Sequence, residues 1–206
     1  MSGLRERKKA ATRAALSWAA IRLTVERGFD NVLVDDIAQA VGVSPRTFNN
    51  YFSSKAEAIA SRHLDRSRRL ADVLRTRPAE EPLWTSIRAA TLAQFEPGPE
   101  VERSPPGDQV DWVSGLKVML AEPALQGEML RAAALAEAEL AAAVAERTGT
   151  DVKHDLYPGL VAATVSAAVN TATRHFVYAD PPASMKHLLL DALDQVAAGL
   201  PVPETR

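Results

Sequence analysis

The stretch from Leu33 to Lys55, LVDDIAQAVGVSPRTFNNYFSSK, constrains this chain more than any other. Val34, Ile37, Ala38 and Val41 fall at helical spacing and give one apolar stripe on a short helix. Gly42 follows at the point where a residue without a Cβ closes a helix in the left-handed conformation. Ser44 suits the N-cap of a second helix, and Pro45 its first turn, where no backbone donor is needed. Phe48 and Phe52, four apart, turn inward, leaving Ser44, Arg46, Thr47, Asn49 and Asn50 outside and Tyr51 at the boundary. A helix, a glycine turn and a second helix presenting Arg, Thr and Asn is the layout of a DNA-reading helix-turn-helix. Arg pairs with guanine, Asn with adenine, and Thr bonds a base or touches a thymine methyl. An amphipathic hairpin that docks another protein exposes similar groups, so an all-α interaction protein stands as the alternative.

Charge supports the nucleic-acid reading. Residues 1–77 carry 15 Lys and Arg against 8 Asp and Glu, a net +7, while residues 78–206 carry 9 against 18, a net −9. A basic N-terminal third joined to an acidic remainder is the footprint of a nucleic-acid module with a separate second domain. Arg5, Arg7, Lys8, Lys9 and Arg13 lead into the first helix, either as a solvated tail over residues 1–8 or as an arm touching phosphates or the minor groove. No apolar signal core follows them, and there is no cysteine, which fits a reducing cytoplasm. His63, His154, His175 and His187 have no metal-type spacing, and no glycine loop is built to cradle phosphate. These features give no support to an enzyme, a resident cofactor or a metal site.

Periodicity along the chain predicts helices only. Leu16, Ala20 and Leu23 face inward on a first helix ended by Gly28, with Phe29 packing beneath against Ile37 and Phe48. A fourth helix spans about 55–76, with Arg62, Arg66, Arg68 and Arg69 as a solvated face. Helices follow around Leu83–Phe95, around Trp112–Leu120 and over about 124–148, 157–179 and 183–199. Residues 97–108, with four prolines and two glycines, read as a loop. The uncharged run from Leu156 to Thr173 is too weakly apolar for a membrane span and reads as a buried helix, with Arg174 and His175 as a buried polar pair. The broad apolar faces of the last two helices predict a homodimer, with Leu189 and Leu193 at its interface. The predicted fold is all-α: residues 1–54 form a three-helix DNA-binding helix-turn-helix domain, and residues 55–206 a helical-bundle ligand-binding and dimerisation domain.

Gly28-Phe29 and the run VDDIAQAVGVSPRTFNNYFSSK resemble the DNA-binding domain of the TetR family of transcriptional repressors. The SPRTF and NYF runs and the Ala-rich second half are most similar to its acyl-CoA-like ligand-binding subgroup. The likeness is specific over about residues 10–60 and diffuse beyond. Leu33 stands where the family usually has a capping Thr, and Asn49 where it usually has an aromatic DNA contact. The resemblance implies a cytoplasmic, ligand-responsive repressor that binds a palindromic double-stranded operator as a homodimer through its last two helices, with no membrane partner. It also implies a phosphate role for Lys55, whose charge at a helix N-terminus is otherwise unfavourable. Tyr51 joins Lys55 on phosphates. The effector is expected to be small, elongated and largely apolar, and the subgroup resemblance makes an acyl-CoA-like molecule the leading candidate. Trp84, Phe95, Trp112, Met119, Met129, Tyr157 and Phe176 are expected to line its cavity, and Arg88, Arg131 or Arg174 to meet a phosphate or carboxylate.

Overall fold

The computed structural model describes residues 2–95, 112–180 and 183–202. All regular structure among them is helical: α1 (Ser2–Arg27), a 3-10 turn (Phe29–Asn31), α2 (Val34–Val41), α3 (Pro45–Asn49), α4 (Lys55–Thr76), α5 (Leu83–Ala93), α6 (Trp112–Ala121), α7 (Pro123–Thr148), α8 (Leu156–Tyr178) and α9 (Met185–Ala197). The loop expected at 97–108 and the side chain of Trp112 lie outside the described residues. No described helix is long and apolar enough to cross a membrane. By contact the chain forms two compact units. One holds the residues up to Asp65 with α6 and α7 as far as Ala132; the other holds the chain from Arg66 through α5 and from Ala133 through α9.

In the first unit, α1 buries Leu16, Ala20 and Leu23 against α2, while Gly28 turns the chain at φ 81°. Helix α1 begins at Ser2, so the basic N-terminal segment is the first part of a helix rather than a loose tail. The residues from Leu4 to Ala10 include strong helix formers and no glycine or proline, which supports the extra turns. Ser17 Oγ donates to the carbonyl of Ala58 at 2.6 Å, tying α1 to α4 inside the core. Helix α6 approaches α1 at Gly115, where an added Cβ would stand 3.4 Å from Ile21 Cγ2.

The second unit is packed with small and branched side chains: Leu70, Ala71 and Leu74 of α4, Ile87 and Ala90 of α5, Leu140, Ala143 and Val144 of α7, Val161, Ala162, Val165 and Ala168 of α8, and Leu193 of α9. Alanines let helix axes approach closely, in keeping with the low aromatic content. Arg68 reaches Glu139 at 2.7 Å and, seven residues on along both helices, Arg75 reaches Glu146 at 2.9 Å. The equal steps show that α4 and α7 run parallel there. At the α4–α5 corner, Arg147 donates to the carbonyls of Pro78 (2.5 Å) and Glu81 (2.6 Å). The Glu81 carboxylate accepts from Arg77 Nε (2.7 Å) and Ser86 Oγ (2.6 Å), and these bonds, Arg77 first, hold its pKa down to about 2.

Three expectations are corrected here. The α4 arginines are not a solvated face: Arg68 is paired with Glu139, the Arg62 guanidinium stacks 4.5 Å from the Trp18 ring centroid, and that of Arg66 lies 5.6 Å from Phe95. Arg174 and His175 are exposed, because α8 turns Val165, Ala168, Ala172 and Val177 inward and leaves them on another face. Leu189 and Leu193 are each only 1% exposed within one chain, so they belong to its own core rather than to a surface awaiting a partner. The large apolar groups left outside on α8 are Leu156, Tyr157, Leu160 and Tyr178.

Leu193→Asp therefore places an unpaired carboxylate in the core, at a cost of several kcal/mol against a domain stability of about 5–15 kcal/mol. Expected is a collapse of the cooperative melt in far-ultraviolet circular dichroism, whereas Leu160→Asp, at 61% exposure, keeps a cooperative melt. A folded Leu193→Asp monomer would place that side chain outside the core.

Candidate nucleic-acid interface

The reading head is built by short-range chemistry. The backbone N–H of Leu33 donates to Asp36 Oδ2 at 2.8 Å, so α2 is capped from its third residue although leucine itself has no acceptor. Gly42 ends α2 in the left-handed region at φ 73° and ψ 31°, with its N–H on the carbonyl of Gln39 at 3.0 Å. Ser44 Oγ then accepts from the Thr47 N–H at 3.1 Å, starting α3 at Pro45. Phe48 (0% exposed) and Phe52 (2%) drop into the core with ring centroids 5.7 Å apart. Arg13 lies over the Phe52 ring at 5.2 Å while pairing with Asp65 at 2.5 Å, which links α1 to α4 and to the segment that follows α3.

Burial of these two rings decides what faces out. Arg46, Asn49 and Asn50 are exposed together on and just beyond α3, with Tyr51 half-buried beside them. Ser44 and Thr47 are engaged with each other: their hydroxyls are 2.9 Å apart, so each sits in the helix cap as well as at the surface. Lys55 is half-buried and turned inward. Its Nζ donates to the carbonyls of Phe29 (2.5 Å) and Val32 (2.9 Å) and stands 4.1 Å from the centroid of the Phe29 ring. Phe29 thus packs under Lys55, half-exposed. The exposed basic groups Arg5, Arg7, Lys8 and Lys9 extend the positive surface of this unit along α1.

The residues expected to line an effector cavity are divided between the units. Met119 (8% exposed) and half-buried Met129 belong to the first; Trp84, Phe95 and Phe176, all half-buried, belong to the second. Tyr157, 47% exposed, and Arg174 lie on the outside of α8 and do not enter the interior. Sequence reasoning passed over Thr91 and Gln94. Both are buried in the second unit, three apart on α5 and its C-cap, and Thr91 Oγ1 and Gln94 Nε2 have no hydrogen-bond partner among the described residues. The available signal was two polar residues on the helical face that Ile87 and Ala90 turn to the core. No cluster of His, Cys, Asp or Glu suited to a metal occurs among the described residues.

A capped two-helix unit with a glycine turn, offering Arg and Asn from its second helix on a basic domain, defines a helix-turn-helix DNA-binding protein. Residues 18–60 match the family model for bacterial regulatory proteins of the tetR family, and residues 81–201 match the MftR C-terminal domain. The chain is 32% identical over 177 residues to the HTH-type transcriptional regulator TcmR of Streptomyces glaucescens, covering 84% of this chain and 76% of that one. It is 33% identical over 198 residues to the proposed mycofactocin biosynthesis transcriptional regulator MftR of Mycobacterium tuberculosis, covering 94% and 93%. Its fold is shared with TetR-family regulators from Rhodococcus sp. (TM-score 0.56, 20% identity, covering 93% of this chain and all of that one) and Mesorhizobium loti (0.54, 17%, covering 93% and 96%). The chain belongs to the TetR family of transcriptional regulators.

Proposed function

We propose that this regulator is a cytoplasmic repressor, without enzymatic activity, that binds a palindromic operator as a homodimer and leaves it when an elongated apolar effector, of acyl-CoA type, is bound. The observation that carries the DNA-reading assignment is the exposed trio Arg46, Asn49 and Asn50 on a helix held by buried Phe48 and Phe52. Residues 1–54 read DNA; residues 55–206 bind ligand and dimerise. Two-fold protein symmetry imposes two-fold symmetry on the operator. The exposed α8 side chains Leu156, Leu160 and Tyr178 support a dimer made through the last two helices, since they leave apolar surface to be covered.

The effector reading is supported by Thr91 and Gln94. An unmet donor in a core costs about 1–3 kcal/mol, and the carbonyl of a bound acyl chain is the kind of acceptor that relieves it. Such a ligand shifts the protein off DNA only if it prefers the DNA-free state.

Three outcomes test these assignments. Arg46→Ala is expected to cost about 1–3 kcal/mol on the operator and to relax preference at one base position, read by binding to an enriched duplex library; an unchanged preference removes Arg46 from the reading surface. Leu160→Asp is expected to give folded monomers by light scattering at micromolar concentration, and a persisting dimer would move the interface elsewhere. Palmitoyl-CoA is expected to release the operator in a fluorescence-anisotropy assay below its micelle-forming concentration while free CoA does not. Equal release by a simple detergent would reject this ligand class and leave the DNA-binding assignment standing.

A further inference from the structure

Lys55 begins α4 at the helix end where a positive charge is disfavoured, and some negative group must offset it. A DNA phosphate is one candidate. The structure supplies another inside the protein. The ammonium has three N–H donors. One lies on the carbonyl of Phe29 at 2.5 Å, one on that of Val32 at 2.9 Å, and the face of the Phe29 ring stands 4.1 Å away. The first carbonyl belongs to the opening residue of the 3-10 turn that joins α1 to α2, and the second to its C-cap. Immediately beyond it Val32 is fully buried, the N–H of Leu33 is held by Asp36, and α2 begins. Helix α2 in turn carries α3 through the Gly42 turn.

From these contacts we infer that Lys55 is a positioning residue for DNA reading: it braces the α1–α2 turn against α4, and so sets where α3 stands, instead of binding phosphate. The inference rests on α3 being the reading helix. A phosphate ligand and a brace differ in what they change. Losing a phosphate contact weakens every sequence alike and lowers the dependence of log K on log salt by about 0.9. Losing a brace lets α3 wander, so matched DNA suffers and unmatched DNA, held by other cations, does not.

The test uses Lys55→Met, which keeps the apolar stem and removes charge and donors. The probes are the duplex that the unmodified protein enriches from a random pool and a scrambled duplex of the same composition. Expected is a loss of about tenfold on the enriched duplex, the scale of one misread base pair, with the scrambled duplex and the salt slope unchanged. The amides of residues 29–34 are expected to exchange faster with deuterium. Equal weakening of both duplexes with a shallower salt slope, or no change on either, overturns the brace. Should Lys55→Met fail to fold by circular dichroism, Lys55→Gln decides. Its amide keeps a donor for a carbonyl but brings no charge to a phosphate. Weakening of both duplexes with a shallower salt slope then overturns the inference, and an unchanged slope with the scrambled duplex still bound supports it. If the unmodified protein enriches no duplex, the reading-helix assignment fails and the brace falls with it.

Discussion

The burial of Phe48 and Phe52 is the interaction on which the reading head depends. Helix α3 is only five residues long, far too short to persist by its own hydrogen bonds. Phe48 on the helix and Phe52 just beyond it, with ring centroids 5.7 Å apart, anchor it in the core, and Arg13 of α1 lies over the Phe52 ring. Everything polar on α3 is outside because everything aromatic is inside. The Ser44 cap and the left-handed Gly42 refine this arrangement by satisfying the helix ends. Their individual contributions are about 1 kcal/mol, small beside the burial of two phenylalanines.

The second unit solves a different problem with different residues. Its core has few aromatic side chains, so helix contact relies on alanine and valine meeting at short range. Around this core, charges are placed where backbone groups need partners. Arg147 closes the α4–α5 corner through two carbonyls, and Lys55 does the same for the α1–α2 turn in the other unit. In both cases a long cationic side chain donates to main-chain carbonyls of a turn between two helices.

Much of this was legible in the sequence. The helix-turn-helix was written locally, in the Gly42 turn, the Ser44-Pro45 start and the four-residue spacing of the phenylalanines, so α2 and α3 could be placed with their outward residues. What failed was information that depends on distant partners. The sequence shows a lysine at a helix start but not the carbonyls of Phe29 and Val32, more than twenty residues away. It shows an apolar stripe on α9 but not whether its own chain or a second copy covers Leu189 and Leu193. Alanine-rich α8 offers small residues on several faces, so periodicity did not reveal that Arg174 and His175 point outward. The arginines of α4 looked solvated for the same reason: Glu139 lies 71 residues from Arg68.

The pairs Arg68–Glu139 and Arg75–Glu146 repeat with the same seven-residue step on two parallel helices. A repeat of this kind behaves like the teeth of a gear rack. Sliding α4 along α7 by a fraction of a turn strips both teeth together. A slip by a full repeat, about 10 Å at 1.5 Å per residue, would re-engage only one of the two. With both pairs half-exposed, each tooth contributes about 0–1 kcal/mol, so the seam selects one register of α4 on α7 by a small margin on top of the apolar packing beneath it.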